Sequence, residues 1–170
     1  MILLRDPRRA IPSYLNYQYG DSIGSKHDVQ APLRVWKEWR DEPGRVETEL
    51  QKWINITRHW AERLDDLHIV LYEDVIGSRA SGVEALRSLI QFLDLGKDMS
   101  DDAIACVWEE ILGKKAQGKG IRRSKKYIPA YTAEQHSMIT SELEAFADSI
   151  DDNGISERSS LIEAIRLYSA

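Results

Sequence analysis

Apolar positions along this chain recur with two periods, that of a strand and that of a helix. Residues 2–5, Ile-Leu-Leu-Arg, form a short apolar run of the kind found in a central parallel strand. Pro7 follows, a residue favoured in the first turn of a helix, and Ile11, Tyr14 and Leu15 continue a stripe at helical spacing. Pro12 interrupts that stripe, so the expectation is a helix that starts near Ile11 or is kinked there. Residues 20–32 carry turn formers and little apolar material and read as a loop. Arg34 to Trp39 suits a short helix ended by Asp-Glu-Pro-Gly. From Val46 to Leu64 the positions Val46, Leu50, Trp53, Ile54, Thr57, Trp60 and Leu64 mark the clearest amphipathic helix.

A second compact β run follows, His68 to Asp74. Val83, Leu86, Leu89, Ile90 and Leu93 then predict a helix closed by Gly96 as its C-cap. Ser100 is placed to cap a further helix through Leu112, with Asp101 and Asp102 at its positive end. Thr132 and Gln135 form a capping box for a helix to Ile150, and Leu161 to Leu167 predicts a last one. Strand, helices, strand, helices is an α/β order with a parallel sheet and a majority of helix. Two strands make an incomplete parallel sheet, because such sheets need cover on both faces. The expectation is therefore that further strands precede residue 1. Residues 1–150 read as one domain portion and 151–170 as a helical tail.

A chain of 170 residues is long enough to bury a core, and 42% hydrophobic with 30% charged residues is ordinary for a globular protein. The net charge of −5 argues against general nucleic-acid binding. It conceals an asymmetry. Seven of the thirteen positions from Lys114 to Lys126 are Lys or Arg, whereas acids crowd Asp98–Glu110 and Glu142–Asp152. One basic segment in an acidic chain points to a particular anion or to a solvated loop. The single cysteine, Cys106, excludes an internal disulfide, and its apolar neighbours predict a buried thiol. No transmembrane run or signal peptide is visible, and no histidine pair has metal-ligand spacing.

The chemistry starts at Arg5. A strand ending in arginine places a guanidinium at the carboxyl edge of a sheet, where open α/β folds bind ligands. Its planar fork suits a phosphate, and Ser13, about two helical turns on, can return a hydroxyl to the same side. The alternative is that Arg5 pairs with Asp6 and Ser13 caps a helix begun at Pro12. In the basic segment, Gly118 and Gly120 leave backbone N–H groups open to an anion beside Lys119, Arg122 and Arg123. Among the histidines, His59 reads as a helix-face residue, His68 opens a strand, His27 lies in a loop and His136 in a helix's first turn. Trp36 and Trp39 are candidates for lining an acceptor cleft, against core packing as the alternative. Asn55-Ile56-Thr57 is a glycosylation sequon by letter, set on a predicted helix.

Residues 3–17, Leu-Leu-Arg-Asp-Pro-Arg-Arg-Ala-Ile-Pro-Ser-Tyr-Leu-Asn-Tyr, resemble the 3′-phosphate-binding motif of sulfotransferases. In that motif an arginine ends a strand and a serine follows eight residues later. His68–Val75 resembles a later strand of the family with its Tyr-Glu-Asp signature, Tyr72, Glu73 and Asp74. Residues 86–95 resemble the helix that follows it, and 118–135 the glycine-and-basic loop that closes over the nucleotide. The likeness covers residues 1–150 and is nearest to the sulfotransferase-like domains of WSC-domain proteins and to carbohydrate sulfotransferases. It implies a P-loop-like fold and transfer of a sulfuryl group from 3′-phosphoadenosine 5′-phosphosulfate (PAPS) to a carbohydrate or protein acceptor, without a metal.

By that resemblance Arg5 and Ser13 hold the 3′-phosphate of PAPS or of its product adenosine 3′,5′-bisphosphate (PAP). Lys119, Gly120, Arg122 and Arg123 close over it, and Tyr72 lies near the adenine. The family's 5′-phosphosulfate loop and its catalytic base have no counterpart in these residues. The activity is therefore expected only where an upstream part supplies them, and the parent of such a portion is expected in the Golgi membrane and lumen. The rival reading is a non-catalytic helical interaction module whose stripes 46–64 and 83–95 present partner surfaces. A kinase relative is a third, without a Walker-type loop to support it.

Overall fold

The computed structural model describes residues 1–25, 29–63, 67–95, 99–113, 130–151 and 159–169. Element order is β1 (Ile2–Leu4), α1 (Pro7–Ser22), α2 (Leu33–Arg40), α3 (Arg45–Arg63), β2 (Ile69–Leu71), α4 (Tyr72–Ile76), α5 (Arg79–Phe92) and α6 (Asp101–Trp108). A π-helical turn (Glu109–Gly113), α7 (Ala133–Asp151) and α8 (Ser159–Ser169) complete it. The described residues are thus mostly helical, with one small parallel sheet, an α/β arrangement dominated by helix. Backbone contacts divide the chain into two compact units, Met1–Arg5 with Asp66–Lys125, and Asp6–Asp65 with Lys126–Ala170.

In the first unit β1 pairs with β2 in parallel, Ile2 opposite Ile69, Leu3 opposite Val70 and Leu4 opposite Leu71. The ladder is extended at its start by Ile2 N–H donating to the His68 carbonyl at 2.8 Å. Leu4 and Val70 are the buried residues of the pair. The run expected to stay extended to Asp74 stops at Leu71, and Tyr72, Glu73 and Asp74 open α4 instead. The reason lies in the partner: β1 ends at Leu4, so a longer β2 would face no ladder.

Helix α5 packs on α6 through Val83, Ile104, Ala105 and Trp108, with Leu86 and Ile90 against them. Ser78 caps α5 by accepting from Ser81 N–H, and Ser100 caps α6 as expected, by accepting from Ala103 N–H at 3.3 Å. The C-cap of α5 differs from expectation. Leu95 N–H donates to the Ile90 carbonyl and Asp94 N–H to that of Gln91, a Schellman arrangement with Asp94 in the left-handed position at φ 51°. Gly96 lies outside the described residues. An aspartate here carries a steric cost and a charge of the wrong sign for a helix C-terminus.

Cys106 is exposed, not buried. Ile104, Ala105 and Trp108 set the inward face of α6, and position 106 falls on the other side whatever its neighbours' hydrophobicity.

The second unit is a helical assembly. Helix α1 starts at Pro7, because the Asp6 carboxylate accepts from Arg8 N–H at 2.8 Å and Pro7 needs no donor partner there. A late start at Ile11 is thereby excluded, and so is Ser13 as a cap. The helix runs through Pro12, whose missing N–H costs on the order of 3 kcal/mol. Burial of Pro12 beside Ile11 and Leu15 offsets that cost. It continues to Ser22, three residues into the stretch that composition marks as loop. Asn16 then accepts from Ala31 N–H at 2.9 Å and holds the returning chain against α1.

Helices α3 and α7 match the sequence expectation almost to the residue. Val46, Leu50, Ile54, Thr57 and Ala61 of α3 are buried, as are Ile139, Leu143, Phe146, Ala147 and Ile150 of α7. The capping box forms as read: Gln135 N–H donates to the Thr132 hydroxyl at 3.2 Å, and Thr132 N–H to Gln135 Oε1 at 3.0 Å. Helix α8 packs along α7 through Leu161, Ile162, Ala164, Ile165 and Tyr168. Arg166 adds contacts of 3.3 Å to Asp148 and to Asp151.

Candidate functional site

The carboxyl ends of β1 and β2 lie side by side, so the residues after Leu4 and Leu71 emerge together. These are Arg5 and Tyr72. The Arg5 guanidinium sits over the Tyr72 ring, 4.6 Å from its centre. A guanidinium held over an aromatic face is favoured by the ring's quadrupole, and its N–H donors lie in the plane of the fork. Two residues that are far apart in sequence are thus assembled at one sheet edge. Such an edge suits a flat aromatic group and an anion together.

The other expected site residues are distributed differently. Ser13 is half-buried in the interior of α1 and belongs to the second unit. Lys119, Gly120, Arg122 and Arg123 lie outside the described residues. Trp36 is fully buried at 1% exposure and does not line a cleft. It stacks on Trp39 with centroids 5.6 Å apart, meets Tyr131 edge-on, and donates its ring N–H to the Ala130 carbonyl at 3.2 Å. Trp53 packs edge-on to Phe146, and Trp108 donates to the Val75 carbonyl at 2.8 Å. Thr57, the third residue of the sequon, is buried on α3 and returns its hydroxyl to the Trp53 carbonyl at 2.9 Å.

None of the described histidines stands beside a carboxylate as a triad base would. His59 is exposed and contacts Arg63 and the edge of Trp60. His136 is exposed and meets Tyr131. His68 stacks on Phe92 at 4.7 Å and shares a hydrogen bond with the Ser88 hydroxyl at 3.2 Å. Partial burial, reinforced by the chain's amino-terminal charge, pushes the His68 imidazole below its ordinary value. His27 is outside the described residues. Among the described residues there is no group of three His, Cys, Asp or Glu placed to hold a metal, and no helix long and apolar enough to cross a membrane.

Three side chains that sequence spacing could not mark organise the second unit. Arg8 donates to the Tyr168 carbonyl near the end of α8 and to the Thr140 hydroxyl at 2.7 Å, tying the start of α1 to α7 and α8. A cation at a helix C-terminus is favourable as well as hydrogen-bonded. Arg40 joins Trp36 on the Ala130 carbonyl at 2.6 Å. Tyr131 is buried at 8% exposure, and its hydroxyl has no hydrogen-bond partner among the described residues. Burial first, and then the Asp6 carboxylate, raise that phenol well above its ordinary value, with Arg8 opposing. A buried donor left unpaired is a cost that Phe avoids, so Tyr131→Phe is expected to be neutral or to stabilise by about 1 kcal/mol. A loss of more than that in thermal unfolding contradicts this account of the phenol.

No protein-family model matches the chain, and no solved structure matches it. A curated WSCD family member of Aedes aegypti is 28% identical over 132 residues, which are 76% of this chain and 39% of that protein. The chain therefore spans less than half the length of the relative it resembles.

Proposed function

We propose that this chain carries the 3′-phosphate-binding half of a PAPS-dependent sulfotransferase site, in a P-loop-like sulfotransferase fold. The observation that carries the reading is Arg5 stacked on Tyr72 at the carboxyl edge of the parallel pair. The similarity to a WSCD family member accords with the motifs, which resemble the sulfotransferase-like domains of WSC-domain proteins. The residues suit PAPS chemically. Arg5 offers a bidentate donor for a phosphate ester, and Tyr72 an aromatic face beside it for a purine. Ser13 and the basic residues Lys119, Arg122 and Arg123 are the further donors that the motif resemblance assigns to the same phosphate. When PAPS is bound it supplies the sulfuryl group for a carbohydrate or protein acceptor. This chain's own contribution is to grip and orient the nucleotide.

Calorimetric titration of the chain with PAP tests the role of Arg5. Arg5→Ala is expected to weaken binding about a hundredfold, the loss of two charge-assisted hydrogen bonds, and Arg5→Lys to recover only part of it. An Arg5→Ala chain that folds and binds PAP like the wild type overturns the assignment. The rival interaction-module reading drew on stripes 46–64 and 83–95. Of those apolar faces Val46, Leu50 and Ile54 are packed inside one unit and Val83 inside the other, whereas Trp60 and Leu93 stay exposed.

A further inference from the structure

Tyr72, the ring beneath Arg5, is the first residue of α4, and none of the five residues of that helix is buried. A single helical turn does not hold itself in water, because fixing its backbone costs more than its few hydrogen bonds return. The C-cap of α4 is a long contact, Gly77 N–H donating to the Asp74 carbonyl at 3.3 Å. The orientation of Tyr72 therefore depends on what grips α4 from outside.

Trp108 of α6 supplies such a grip. Its indole N–H donates to the Val75 carbonyl at 2.8 Å. The ring is itself immobilised, 4% exposed and packed among Val83, Ile104 and Ala105. Val75 stands three residues after Tyr72, so the two share a face of the short helix, one turn apart. The bond thus ties the turn that carries Tyr72 to a packed core.

Gly82 makes room for that bond. Of the ring atoms, the donor Nε1 lies nearest to the place a Cβ at position 82 would take. Glycine is unfavourable in a helix interior, so its presence in the middle of α5 has to serve some contact. Apolar burial has no direction, whereas a hydrogen bond does. A notch beneath the polar edge of the indole serves the aim of the N–H as well as the packing of the ring.

We propose that Trp108 is a positioning residue for the nucleotide platform, a role that rests on the assignment of Arg5 and Tyr72 to the nucleotide. Through the Val75 carbonyl it holds α4 in place and so keeps Tyr72 under the Arg5 guanidinium.

Trp108→Phe tests this, since it leaves an aromatic ring in the core and deletes the N–H. Nuclear magnetic resonance of the Arg5 side chain reads the platform without any nucleotide, because protons held over an aromatic face are shifted upfield by its ring current. Tyr72→Leu gives the signal of an unstacked guanidinium. In folded Trp108→Phe the Arg5 signal is expected to move most of the way to that value. Calorimetric titration is expected to show PAP affinity about tenfold weaker, as a platform that must be ordered on binding gives up affinity. A folded Trp108→Phe chain that retains the wild-type Arg5 signal overturns the proposal, and so does a displaced signal with unchanged PAP affinity. If the signal moves but the wild type itself binds no PAP, the positioning is supported and the nucleotide reading falls. Should Trp108→Phe not fold, the wild type decides in rising urea. The Trp108 N–H is expected to lose its protection from solvent exchange together with the Arg5 shift, and a shift that outlasts that protection overturns the proposal.

Discussion

Gly82→Ala is expected to destabilise the chain by about 3 kcal/mol, lowering its melting temperature by about 10 °C. In an exposed helix interior the same change stabilises by about 1 kcal/mol, so the sign here is the test. A methyl group at Gly82 falls inside the Trp108 indole, 2.7 Å from Cδ1 and nearer still to two other ring atoms. The ring cannot step aside. It is 4% exposed, packed among Val83, Ile104 and Ala105, and its N–H is bonded to the Val75 carbonyl. Helices α5 and α6 must therefore separate, in a unit whose core is small. Trp108→Leu removes the clash along with the ring. The double variant is expected to be less destabilised than the sum of the singles by more than about 1 kcal/mol. A Gly82→Ala chain as stable as the wild type contradicts the packing of α5 on α6.

Trp36→Ala is the second large effect, a loss of about 4 kcal/mol. The indole is among the most deeply buried large side chains, and it joins Trp39, Tyr131 and the Ala130 carbonyl. Truncation opens a cavity next to two aromatic rings and removes one of two donors to that carbonyl. Trp36→Phe separates these contributions. It retains most of the packing, and the Ala130 carbonyl keeps its bond to Arg40, so its cost is expected to be about 1 kcal/mol. Both values are read from urea unfolding. Near-equal losses for Ala and Phe contradict the packing role, because they place the energy in the N–H bond.

Residues whose environment is set within one or two helical turns were legible in the sequence. The extents of α3 and α7, the Asp-Glu-Pro-Gly stop after α2 and the Thr132–Gln135 box are local and appear where expected, although Trp60 of the α3 stripe is half exposed. What was not legible depends on a partner elsewhere. Tyr72 turns into a helix because β1 stops opposite Leu71, information held about 70 residues away. Arg8 looks like part of an anion motif, yet it reaches residue 168. Cys106 has apolar neighbours, but which side of α6 is buried is decided by α5. Trp36 reads equally as cleft or core until Ala130 and Tyr131 return to it. The site divides the same way. Arg5 at a strand end was legible alone, whereas its stacking on Tyr72 required the register of the two strands.

The grip of Arg5 on a 3′-phosphate is the centre of the functional account, and a comparison of two nucleotides tests it most directly. Titrating the chain with PAP and with adenosine 5′-monophosphate isolates the 3′-phosphate, since the two differ only there. The account predicts that PAP binds at least about tenfold more tightly, the worth of one charge-assisted contact to a guanidinium. Equal affinity for both, or no binding of PAP by the folded chain, contradicts it.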